Sequence, residues 1–182
     1  MPKRLGFVVR QDLCIDCKAC MVACSVENSI RPGKHRNWVH QLGPSGTFPD
    51  LGMQFRPGNC MHCANPPCER VCPTGATYRT ADGLVEIDQA KCIGCRYCIQ
   101  ACPYDARYFD EKAGVTDKCT ACLHRLEAEM RPACVQACVT GSRMFGDLAD
   151  AKSEVSRALS TGESRVLAPE AGTEPGFHYV KY

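Results

Sequence analysis

The stretch "CIGCRYCIQACP", residues 92–103, packs Cys92, Cys95, Cys98 and Cys102 into eleven residues and follows them with Pro103. The spacing is C-x2-C-x2-C-x3-C-P, and the chain uses related spacings three more times. Cys14, Cys17, Cys20 and Cys24 repeat it without change, with Ser25 in place of the proline. Cys60, Cys63, Cys68 and Cys72 carry two extra residues before the third cysteine and end on Pro73. Cys119, Cys122, Cys134 and Cys138 have an eleven-residue gap in the middle and Val139 at the end. These four groups account for all 16 cysteines of the 182-residue chain.

A disulfide framework stabilises by closing loops, and nothing in that mechanism asks for a repeated three-residue step. Ligation does, because several thiolates must converge on one small object. C-x2-C-x2-C-x3-C-P is the spacing with which bacterial ferredoxins hold iron–sulfur cubes, the fourth cysteine reaching the neighbouring cube. The first three cysteines are expected on a tight loop. The fourth, followed by proline, is expected at the start of a helix, where a missing N–H is no loss. Groups then work in pairs, and four groups imply four [4Fe–4S] clusters. Zinc wants isolated sets of four ligands with a long central gap, a description that fits the fourth group alone.

The formal charge of +2 changes sign once clusters are counted. At about −2 for each oxidised thiolate-held cube, the loaded chain stands near about −6. That weighs against the concentrated basic surface a nucleic-acid reader needs. No run approaches the roughly 20 apolar residues of a membrane span, so any membrane link is expected through a partner. "MPKRLGFVVRQDLC" (1–14) has neither a signal-peptide apolar core nor a twin-arginine pair.

The pattern around the cysteines predicts an α+β fold of two bacterial-ferredoxin-like 2[4Fe-4S] units, one inserted within the other. Leu5 to Val9 and Leu84 to Ile87 read as strands that each lead into a cysteine loop. "CPTGATYR" (72–79) and "CPYDARYF" (102–109) match as a helical turn and then a strand, around Thr77–Tyr78 and Tyr108–Phe109. Residues 60–111 thus form one small ferredoxin. Groups two and three pair within it, and groups one and four pair by elimination, as an outer unit of 1–24 plus 112–146. Residues 25–59 read as a Gly/Pro-interrupted connection. Leu123, Leu126 and Met130 mark a short helix stopped by Pro132. In 147–182, a helix capped by Asp147 carries Leu148, Val155 and Leu159 on one face and ends at Gly162. The tail from 163 is expected to wrap the surface or touch a partner.

The four groups, with "CPTGATYRTADGLVEID" (72–88) and "SRMFGD" (142–147), resemble the electron-transfer subunit of molybdopterin oxidoreductases acting on dimethyl sulfoxide, polysulfide, thiosulfate, tetrathionate or sulfite. The second group looks most like the polysulfide and thiosulfate branch. The resemblance covers roughly 4–182 and implies ligand sets. Cys14, Cys17, Cys20 and Cys138 hold the cluster nearest a large molybdenum or tungsten bis-guanine-dinucleotide subunit. Cys24, Cys119, Cys122 and Cys134 hold the second. Cys60, Cys63, Cys68 and Cys102 hold the third. Cys72, Cys92, Cys95 and Cys98 hold the fourth, nearest a multi-helix quinone-reactive membrane subunit. With Cys95 present, all four can be [4Fe–4S]. The complex is membrane-associated on its periplasmic or cytoplasmic face, exported, where it is, with the catalytic subunit.

No acid, base or substrate pocket is required of such a chain; chemistry belongs to the partner. A free-standing polyferredoxin shuttling electrons between soluble enzymes is the rival reading, and a zinc-binding adaptor a third. Ile15, Ile93 and Ile99 are expected to pack around the cubes. His62 reads as a loop histidine; Tyr97, Tyr104 and Tyr108 as packing residues. Trp38 suits the core or a partner contact equally. Arg31, Lys34, His35 and Arg36 form a basic patch that either steers onto an acidic partner or is solvated.

Overall fold

The computed structural model describes residues 3–181. The elements run β1 (Leu5–Arg10), α1 (Ala19–Glu27), β2 (Asn37–Thr47), β3 (Asp50–Asn59), α2 (Pro67–Arg70), β4 (Thr77–Arg79), β5 (Val85–Ile87) and α3 (Tyr97–Gln100). They continue with β6 (Arg107–Asp110), β7 (Val115–Lys118), α4 (Leu123–Glu127), α5 (Ala133–Gln136), β8 (Arg143–Asp147), α6 (Glu154–Thr161), β9 (Glu163–Arg165) and β10 (Phe177–Lys181).

The strand expected at the N-terminus organises the core. In β1, Phe7, Val8 and Val9 are all completely buried, so both faces of the strand are covered. Side chains alternate along a strand. Phe7 and Val9 face the cysteine loops, packing with Phe177, Tyr179, Cys20, Cys60 and Cys134. Val8 faces the other way, onto Val155 and Ala158 of α6 with Met144 and Val180. Neighbours lie on both edges as well. β8 pairs antiparallel and β10 parallel, and the sheet order is β8-β1-β10-β9. Each of these fully buried aliphatic or aromatic side chains contributes about 1.5–3 kcal/mol.

The two short hairpins β4–β5 and β6–β7 follow the matched segments of the sequence, Thr77 opposite Ile87 and Arg107 opposite Lys118. The connection 25–59 differs from expectation. Beyond α1 it forms a two-stranded ribbon, β2–β3, whose register slips between Leu42 and Ser45. Its glycines and prolines read as breaks. A two-stranded ribbon has two free edges, and free edges accept proline.

Three further expectations are corrected. α4 ends at Glu127, short of Met130, which is exposed. The helix after the last cysteine starts later than expected: Ser153 caps it, accepting from the Ser156 N–H, while Asp147 ends β8 and accepts from the Arg4 and Ala149 amides. The tail does not wrap the surface. β9 and β10 belong to the main sheet, and Phe177, Tyr179 and Val180 are buried.

Four thiol-lined cavities as candidate metal centres

The third cysteine of every group is the second residue of a helix: Cys20 in α1, Cys68 in α2, Cys98 in α3 and Cys134 in α5. The fourth follows four residues later, inside α1 for Cys24 and two residues past the helix end for Cys72, Cys102 and Cys138. This corrects the expected place of the proline. Pro73 and Pro103 lie past the ends of α2 and α3 rather than at a helix start. There they stop a helix they cannot continue.

The third and fourth cysteines of each group line different spaces. Four thiol-lined spaces lie along the chain. The first is lined by Cys14, Cys17, Cys20 and Cys138, the second by Cys24, Cys119, Cys122 and Cys134. The third is lined by Cys60, Cys63, Cys68 and Cys102, the fourth by Cys72, Cys92, Cys95 and Cys98. The third and fourth cysteines of each group thus give one sulfur to each of two neighbouring cavities, and none of the sixteen thiols is in a disulfide.

The cavity walls suit an anionic iron–sulfur cube. Left-handed residues recur at matching places in the loops: Asp16, His62, Gly94 and Ala121 each lie two residues after the first cysteine of a group, and Lys18 and Arg96 four residues after it. Successive amides in such turns form concavities that bind anions and iron–sulfur centres. The Thr77 amide donates to Cys72 Sγ and the Ala121 amide to Cys119 Sγ, each at 3.4 Å. Burial pushes the Cys24 and Cys63 thiols up to about 12 and Cys68 to about 11, and neighbouring thiols push the same way. Thiols raised in this way ionise readily only beside a strong positive charge, which bound iron would supply. Among the described residues no three of His, Cys, Asp or Glu converge as ligands of a single ion do. The four sulfurs of each set ring one space, as the ligands of a cube do.

Buried polar side chains from outside the cysteine motifs lie beside the cavities. The Arg107 Nη2 donates to Cys68 Sγ at 2.9 Å and its Nη1 to Thr77 Oγ1 at 3.1 Å. Arg143, completely buried, donates to Asn59 Oδ1, while its Nε and Nη1 meet no hydrogen-bond partner. Lys118 donates to the Val85 and Cys119 carbonyls and lies 3.8 Å from Glu86. Asn37 donates to the Cys20 carbonyl and Asn59 to the Cys60 carbonyl. A signal for the arginines is present in the repeats: "CPYDAR" and "CVTGSR" each place arginine five residues after the last cysteine of a group.

The other singled-out residues sort clearly. Ile99 packs beside Cys68 and Cys98, whereas Ile15 and Ile93 line the first and fourth cavities and are largely exposed. His62 is buried, its Nδ1 accepting from the Val85 amide, and burial with Lys118 and Arg107 nearby keeps it neutral. Tyr104 and Tyr108 are hydrogen-bonded to Thr173 and Asp117; Tyr97 is exposed. Trp38 packs on the core and over Gly58. The basic patch is largely consumed within the chain. Arg36 grips Asp117 with two bonds of 2.9 Å, Lys34 pairs with Glu111 and Arg31 with Asp110.

Residues 51–148 and 13–76 match two families, each described as a 4Fe-4S dicluster domain. The B subunit of tetrathionate reductase from Salmonella typhimurium is 43% identical, over 97% of the present sequence and 72% of its own length. The B polypeptide of polysulfide reductase from Wolinella succinogenes is 40% identical, over 99% and 95%. The B subunit of sulfite dehydrogenase from Allochromatium vinosum is 39% identical, over 97% and 82%.

Proposed function

The protein belongs to the 4Fe-4S dicluster family of iron–sulfur electron-transfer subunits, and from that premise we propose that it relays single electrons between a molybdopterin catalytic subunit and a quinone-reactive membrane subunit. The complex it serves acts on a sulfur compound of the polysulfide or thiosulfate kind. The four cysteine sets named above are the ligand sets, and residues 60–111 are a ferredoxin unit inserted within an outer one. When bound, each [4Fe–4S] cube exchanges one electron at a time.

The observation that carries the reading is the contrast between the ends of the row and its middle. The first cavity reaches the surface at Cys17 and Ile15, the fourth at Cys95 and Ile93. No cysteine of the second or third cavity is exposed. Two open ends around an insulated middle suit a chain that receives an electron on one face and delivers it on another. The apolar isoleucines at each end suit contact with a protein partner rather than with water. We assign the first cavity to the catalytic partner and the fourth to the membrane partner, as the resemblance implies. The membrane link runs through that partner, since no helix among the described residues is long and apolar enough to cross.

The test is anaerobic purification from the native host, with iron, acid-labile sulfide, molybdenum and tungsten measured per chain. About sixteen iron and about one molybdenum or tungsten, copurifying with a large subunit, are expected. The same iron without a partner would make the protein a mobile polyferredoxin. Zinc in place of iron would overturn both.

A further inference from the structure

Burying a guanidinium costs several kcal/mol unless an opposite charge accompanies it. Arg107 and Arg143 are both buried, and among the described residues neither pairs with a carboxylate. Each instead faces thiols from two cavities at once. Arg143 lines the first cavity and faces Cys20 of the first set with Cys119 and Cys134 of the second. Arg107 lines the third cavity and faces Cys60 and Cys68 of the third set with Cys98 of the fourth. Lys118 holds the remaining junction. Its charge acts on Cys119 of the second set and Cys68 of the third, and Cys119 itself faces Cys60. Glu86, at 3.8 Å, partly offsets it.

The placement is repeated rather than incidental. Arg107 opens β6 and Arg143 opens β8, each at the same distance from the last cysteine of its group. The two ferredoxin-like pairs therefore put the same cation at the same point between their two cavities. The matching place in the second group holds Thr77, whose hydroxyl accepts from Arg107.

We propose that Arg143, Lys118 and Arg107 are tuning residues, one fixed buried cation at each of the three junctions of the row, each raising the reduction potentials of both clusters it separates. This deepens the four-cluster reading and rests on it. Each reduction adds a negative charge, and an adjacent cation favours it. The shared cation also screens the repulsion between two neighbouring reduced clusters. The signature is pairwise: loss of one cation lowers two potentials and spares the others.

The test is an anaerobic redox titration of the intact complex, followed by electron paramagnetic resonance. Arg143→Gln is expected to lower the reduction equilibrium constants of the first and second clusters at least tenfold, about 59 mV for one electron. Arg107→Gln is expected to do the same to the third and fourth. Arg143→Lys and Arg107→Lys, which keep the charge, stay close to the unsubstituted complex. Lys118→Met lowers the two middle clusters by less, because Glu86 already offsets part of that charge, and it carries the test should a glutamine variant fail to assemble. Four unmoved potentials, or four that shift together, would overturn the proposal, as would lysine variants that shift as far as glutamine. Fewer than four clusters in the unsubstituted complex sinks the four-cluster reading itself; four clusters with unmoved potentials sinks only the assignment of the cations.

Discussion

Asn59 ties three parts of the molecule with one amide. Its Nδ2 donates to the Cys60 carbonyl at 2.8 Å, and its Oδ1 takes the only neutral hydrogen bond found for the buried Arg143 among the described residues. Asn37, its register partner across the ribbon, does the same service for the Cys20 carbonyl at 2.9 Å. Asn59→Ala leaves a buried guanidinium and a buried carbonyl short of partners. That costs about 2 kcal/mol, or about 4–8 °C in the melting temperature of a chain of this size. Anaerobic calorimetry of the loaded protein reads it directly; an unchanged melting temperature would mean that Arg143 finds other partners. The cysteines were legible in the sequence because their spacing is the local geometry of a loop and the short helix that follows it. Asn59 and Arg143 were not, since they meet across 84 residues and only the fold brings them together. The recurrence of Cys-x4-Arg was visible, but nothing short of the structure says that the arginine turns inward.

At the scale of elements, the third cysteine group and the β6–β7 hairpin depend on each other through Gly94. Its φ is +69°, and a Cβ there would stand 2.5 Å from the Gly114 carbonyl oxygen in the hairpin turn. The matching Asp16 of the first group has a similar φ of 55° but is clear to carry a side chain, which accepts from Gln41 at 2.7 Å. The left-handed turn alone therefore does not demand glycine; the close approach of the hairpin does. Gly94→Ala is expected to displace the loop bearing Cys92 and Cys95 and to lower iron from about sixteen toward about twelve per chain. Asp16→Ala, which frees a surface hydrogen bond, is expected to leave iron unchanged. Equal iron in Gly94→Ala and the unsubstituted chain would count against this coupling. The short strands beside the cysteines were legible because each repeats within the chain. The ribbon β2–β3 was not. Gly43, Pro44, Gly46, Gly52, Pro57 and Gly58 signal interruption, and the ion pairs of Arg31, Lys34 and Arg36 to 110–117 that fasten its entry are long-range.

For the whole molecule, the tail does what its composition conceals. Pro169, Gly172, Pro175 and Gly176 read as a loose wrap, yet the segment is the parallel partner of the first strand, with Phe177 opposite Phe7. Parallel pairing across the length of the chain leaves no local signature. The tail also reaches the clusters' supports. The Thr173 and Glu174 carbonyls accept from the Asn65 and Ala64 amides behind the second cysteine group, and Gly176 donates to the Met61 carbonyl at 2.8 Å. The Tyr179 hydroxyl donates to the Pro57 carbonyl at 3.0 Å, fixing the root of the ribbon. A chain stopped after Gly172 loses the burial of Phe177, Tyr179 and Val180, about 1.5–3 kcal/mol each. It also uncovers Phe7 and Val9 on β1. The sum matches the whole stability of an ordinary domain, about 5–15 kcal/mol. The truncated chain is therefore expected to be insoluble and poor in iron, with all four cavities affected rather than one. Phe48→Ser, at the exposed tip of the ribbon, serves as the control and should retain full iron. Soluble truncated protein holding all its iron would show that the cysteine loops and their clusters suffice to hold the core without β10.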